Sequence, residues 1–139
     1  MTVTTRSSKG SPLTHTEVDT NFTDLRDSCG YIATGQGGTV TQQTSKSNGV
    51  TLSKKCGQVT MNAAALAANT TVSFTLTNTT IAVTDVIVLN HVSGGTAGSY
   101  LLNAQPAAGS ASINVRNITS GSLSQAIVIG FAVVKATTS

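Results

Sequence analysis

Charge is what this sequence has least of. Only 9% of its 139 residues are Asp, Glu, Lys or Arg, against about 25% in an ordinary soluble domain. Its polar surface must therefore be made from Thr, Ser, Asn and Gln. The shortage does not imply disorder, because disordered chains are usually charged and poor in β-branched residues, and this one is rich in Val, Ile and Thr. Tryptophan is absent and the aromatics are only 3 Phe and 2 Tyr, which leaves no stacking platform for bases or sugar rings. The basic residues Arg6, Lys9, Arg26, Lys46, Lys54, Lys55, Arg116 and Lys135 are scattered, with one adjacent pair. A net charge of +3 and a pI near 9.1 thus form no patch, and no nucleic-acid partner is expected.

Cysteine is equally scarce. Cys29 and Cys56 are too few for a structural zinc site and lie outside any redox spacing. Each reads as a buried or half-buried thiol, with no support for a bridge between them. Long apolar runs are missing too. The longest, Ala126 to Val134, is about half of what a membrane span needs, and Met1 to Gly10 has no apolar core of a signal peptide. Neither membrane association nor a secretory leader is expected.

Catalytic constellations are also lacking. His15 falls in a helical turn and His91 in a strand, and Asp85, six residues before His91, would lie about 20 Å away along that strand. There is no nucleophile elbow, metalloprotease pattern or close carboxylate pair. The reading is a non-enzyme with no catalytic residue, metal or cofactor. Four Asn-x-Thr triplets, at Asn21, Asn69, Asn78 and Asn117, match the glycosylation pattern, but a chain so rich in Asn and Thr produces them by chance.

What is present begins with one well-marked helix. Thr14 stands at the N-cap with Glu17 three residues on, the spacing of a capping box, and Leu13 and Val18 have hydrophobic-staple spacing. Gly30 is a plausible left-handed stop. Val18, Phe22, Leu25 and Cys29 follow at intervals of four, three and four, the narrow apolar stripe of a coiled-coil seam. Helices below about 12–15 residues rarely persist alone in water, so this one of similar length needs a surface to bury the stripe. That surface is either the chain's own β-domain or other copies of the helix, in which case Val18, Phe22 and Leu25 are oligomerisation residues.

Three segments result: a polar arm and helix over 1–30, a Gly-rich linker over 31–38, and a β-domain over 39–139. The glycines of the linker lack the strand-loop-helix setting and the Lys-Ser/Thr of a phosphate loop. From Thr39 onward, apolar residues alternate with hydroxyl or amide residues, as in Val72, Phe74 and Leu76 within Thr71 to Thr77. Asp85 to Val92 and Tyr100 to Ala104 are more continuously apolar and read as central strands. About eight short strands punctuated by Gly, Asn and Ser predict an all-β fold, an antiparallel β-sandwich or jelly roll. Ala63 to Ala68 is expected to be a loop or one helical turn.

The run Lys9-Gly10-Ser11-Pro12-Leu13-Thr14-His15, continued by Glu17-Val18-Asp19-Thr20-Asn21-Phe22, resembles a segment near the N-termini of tailed-bacteriophage fibre and other virion surface proteins. The Thr-rich region after Thr39 is similar in style to small β-modules of phage structural proteins. The resemblance implies attachment to other virion proteins through the N-terminal segment, with Arg6, Lys9, Pro12 and Leu13 as attachment residues. It also implies an outward-projecting β-domain, a homotrimer and a place on the outer virion surface. No shaft separates the two parts, which favours a capsid decoration protein or head fibre over a tail fibre. A tail-associated adhesin contacting a host-surface glycan is the alternative.

Overall fold

The computed structural model describes residues 4–29, 35 and 37–137, with backbone alone for 24–29. The chain forms two compact units, Met1–Gln36 and Gly37–Ser139.

The first unit contains two helices, α1 (Arg6–Lys9) and α2 (His15–Cys29). The polar arm is therefore not featureless, and its helical turn has a local cause. Thr5 caps α1 by accepting from the Ser8 amide at 3.1 Å, while the Thr5 amide donates to the Ser8 hydroxyl at 3.2 Å. Gly10 closes the turn at φ 70°, a conformation that a side chain would strain. A Thr-x-x-Ser pair did what apolar periodicity could not, since α1 buries nothing. Helix α2 starts where the Thr14 and Glu17 spacing put it. The stop expected at Gly30, most of the linker, and the side chains of Leu25 and Cys29 lie outside the described residues.

The second unit is the expected β-sandwich. Its strands are β1 (Thr39–Thr41), β2 (Val50–Thr51), β3 (Cys56–Thr60), β4 (Thr71–Thr77), β5 (Val86–Ser93), β6 (Tyr100–Ala107), β7 (Ser110–Asn117) and β8 (Val128–Val134). They make two four-stranded sheets, ordered β1-β3-β8-β5 and β2-β4-β7-β6. Between the sheets lie Leu76, Ile113, Val115, Ile127, Ile129 and Val133, all fully buried. Each such side chain contributes about 1.5–3 kcal/mol by leaving water.

The pairing is not wholly antiparallel. β1 runs parallel to β3 and β2 parallel to β4, because the first four strands alternate between the sheets. A chain that crosses the core at every connection returns to its own sheet in the same direction, so β1 to β4 form a coil rather than hairpins. The other pairings are antiparallel. These strand orders lend no support to jelly-roll connectivity.

Strands β5 and β6 lie at sheet edges, not at the centre as their apolar runs suggested. The central strands are β3 and β8 in one sheet and β4 and β7 in the other. In β5 the inward row Ile87, Leu89 and His91 is half-buried, and the outward row holds Val86, Val88 and Val92. The run is continuously apolar because both faces are, not because both are covered.

The Asn-x-Thr triplets are structural. Asn117, fully buried at the end of β7, donates from Nδ2 to the carbonyls of Leu66, Ala67 and Gly121 at 3.0, 3.1 and 2.7 Å. Its Oδ1 accepts from the amide and hydroxyl of Thr119. Asn78, just after β4, repeats the device with the Lys54 carbonyl and Thr80. Asn69 takes a positive φ of 54°, which Asn tolerates better than most residues. The alanine-rich 63–68 segment is a loop, tied by a bridge between Leu66 and Leu123.

Candidate interaction surfaces

The motif-bearing unit is wired to itself. Glu17 Oε2 accepts from the Thr14 amide at 2.7 Å, and the Glu17 amide donates to Thr14 Oγ1 at 3.2 Å, so the capping box is closed. Lys9 Nζ reaches the same Glu17 oxygen at 2.5 Å. Asn21 pins the arm to α2 by donating to the Thr4 carbonyl at 2.8 Å and accepting from the Thr4 amide at 2.9 Å. Lys9, Gly10, Thr14, Glu17 and Asn21 thus all serve the local fold. Of the residues expected to attach or oligomerise, Arg6 and Pro12 are exposed, Lys9 is engaged with Glu17, and Leu13 and Val18 are half-buried. Phe22 is 68% exposed, an apolar ring left open one residue from the Asn21 pin.

The Lys9 ammonium and the Thr14 amide hold the Glu17 carboxyl down at about 2. A carboxyl depressed in the folded state stabilises above its ordinary value near 4.5 and stops doing so as pH falls through the folded value. The far-UV helical signal of the full chain should therefore begin to weaken as pH falls below about 4.5 and level off near pH 2. In Glu17→Gln that acid step should vanish. Because the pair is solvent-accessible, added salt should shrink the difference.

The outward face of the β2-β4-β7-β6 sheet is a hydroxyl and amide surface. One row crosses three strands: Ser73 donates to Asn114 Oδ1 at 2.5 Å, and Asn114 donates to Asn103 Oδ1 at 2.6 Å. Beside it, Leu101 and Arg116 stand opposite one another and border a hollow of about 180 Å³ with Thr71, Asn103 and Asn114. Among the described residues Arg116 makes no hydrogen bond or ion pair, so a guanidinium and the Asn103 amide face solvent together. Sequence spacing missed this group, because only the register of β6 on β7 brings positions 101–103 against 114–116.

The opposite face, on β1-β3-β8-β5, is largely apolar along β8 and β5, while β1 and β3 turn Thr39, Thr41, Gln58 and Thr60 outward. Val86, Val88, Val92 and Val134 are 43–54% exposed. Val88 and Val92, with Asn90, border an open trough of about 640 Å³ whose floor includes Gly130 and Ala132 and whose far wall includes Gly38, Cys56 and Gln58. The Asn90 and Val92 side chains close over Gly130: a Cβ there would sit 2.5 Å from Asn90 Oδ1 and 2.9 Å from Val92 Cγ2, so both would have to shift.

The remaining ionisable groups of the β-unit are mostly structural. Asp85 is buried and binds the Lys135 ammonium and the Ala82 and Ala136 amides. Lys46, one of the scattered basic residues, is buried, with Nζ on the carbonyls of Asn62 and Gln125 at 2.5 and 2.7 Å. Burial pushes its pKa down. His91 Nε2 lies 2.5 Å from the Gly94 carbonyl, and its ring meets Tyr100 edge-on. Among the described residues there is no group of three metal-ligating side chains, and no helix long and apolar enough to cross a membrane. No protein-family model, curated protein or solved structure matches the chain.

Proposed function

We propose that the chain is a non-enzymatic structural protein of a bacteriophage virion: a small trimeric capsid decoration or head-fibre protein, held through its N-terminal unit with the β-unit outward. The observation that carries this reading is the Lys9 to Phe22 motif and its wiring. Several of its polar residues cap, pair and pin one another, which makes a compact unit that leaves the Phe22 ring exposed. Such a unit suits attachment or self-association better than recognition by polar contacts. Asp85 and His91 are engaged by backbone and Lys135, which supports a non-catalytic β-unit.

The test is the particle itself. Mass spectrometry and cryo-EM of purified virions should find the protein on the capsid in copies tied to capsid symmetry. Its absence from particles would overturn the reading. Density confined to the tail would favour the alternative, a tail-associated adhesin. One feature speaks for that alternative: the Arg116, Asn103 and Leu101 hollow could take a carboxylate-bearing sugar of a host glycan, with the guanidinium on the carboxylate. An adhesin would also block adsorption to host cells when added as purified protein.

A further inference from the structure

We infer that the outward face of the β1-β3-β8-β5 sheet is an interface with a second copy of this chain. Four half-exposed valines present on the order of 300 Å² of apolar surface, the size of the largest patch on a typical monomer. The opposite sheet, in the same unit, carries Thr, Ser and Asn outward instead. The β5-β8 half of this face is thus the part of the unit's two sheet faces least suited to water.

Charge narrows the occupant. Every outward residue along β1, β3, β5 and β8 is uncharged, so an acidic or basic partner finds no counterpart there. An anionic membrane surface would call for Lys or Arg beside the apolar group, and a sugar ring would call for an aromatic platform. A like surface needs neither. Shape points the same way. A contact between identical patches requires knob and hole on one surface, and here the β5 row of Val88, Asn90 and Val92 stands beside the trough floored by Gly130 and Ala132. The side-chain amide of Asn90, at the middle of the ridge, has no hydrogen-bond partner among the described residues. A primary amide carries both donors and an acceptor, so it can pair with its own equivalent across a two-fold axis.

The available area sets the strength. Strands about 4.8 Å apart and 3.3 Å per residue give a sheet face of roughly 400 Å², about half of a standard partner surface of about 800 Å². Association should be in the micromolar range and reverse on dilution. The inference does not rest on the virion reading, nor on the helical stripe.

Sedimentation equilibrium of the full chain over a concentration series tests it. The wild type should self-associate, and Val88→Lys should raise the dissociation constant at least tenfold. Thr75→Lys, on the outward face of the other sheet, should leave it unchanged. Asn90→Asp is nearly isosteric and exposed, so it keeps the question decidable if Val88→Lys fails to fold; it too should weaken association at pH 7. Phe22→Asp should retain concentration-dependent association, which separates this face from the helix. Association of both face variants at wild-type strength would overturn the inference. So would a wild type, or a Phe22→Asp variant, that stays monomeric at every concentration.

Discussion

Replacing Asn117 by alanine should destabilise the β-unit by about 3–5 kcal/mol, measured by urea denaturation. One buried side chain accepts from Thr119 twice and donates to three carbonyls. Truncation leaves those carbonyls and the Thr119 amide without it, and each buried group so orphaned costs about 1–3 kcal/mol. Partial access of water near Thr119 and Gly121 keeps the total below the plain sum. Asn78→Ala should cost less, because its Nδ2 serves a single carbonyl, that of Lys54. A loss below about 1 kcal/mol in Asn117→Ala would show that the loop closes without this network.

The second large effect belongs to Asp85, where Asp85→Asn should cost about 2–3 kcal/mol at neutral pH. The lost pair is not itself the main cause, since Lys135 is 56% exposed and can turn to water. The cost lies in the Ala82 and Ala136 amides, which face a carboxylate and would share a weaker neutral acceptor. Burial raises the Asp85 pKa, but the Lys135 ammonium and the two amides outweigh it, and the net value lies below the ordinary 3.8. Stability from this group is therefore complete above that ordinary value and disappears as pH falls through the folded one. Asp85 is the only acidic side chain after residue 36, so acid unfolding of the β-unit follows one carboxyl. Thermal unfolding between pH 5 and pH 2 should show a decline in wild type and a flat profile in Asp85→Asn. Parallel declines would assign acid sensitivity elsewhere.

Much of this architecture is legible in the sequence, for local reasons. Strand existence follows from alternation, as in Thr71 to Thr77, and the start of α2 from Thr14 and Glu17, because both signals span a few residues. What escapes is whatever depends on distant partners. Lys46 reads only as one more scattered basic residue, since the carbonyls that hold it lie at Asn62 and Gln125. The parallel edges could not be foreseen, because alternation fixes which way a side chain points and not which strand lies alongside. The apolar run of β5 was ambiguous in principle: a strand covered on both faces and an edge strand with a bare valine face have the same composition. Arg116 and Asn103 were unremarkable in sequence and became neighbours only through the β6-β7 register.

The position of β8 also governs when the protein can be made. Last of the eight strands in sequence, it lies between β3 and β5 and pairs with both. Until Val134 has left the ribosome, β5 has no neighbour in its sheet and β3 has only the three-residue β1. The nascent chain thus carries β5 without a ladder partner until β8 has emerged, and the sandwich closes only then. The N-terminal unit has no such wait: its caps and pins span residues 4–21, and it can fold and find a partner while the sandwich is still being translated.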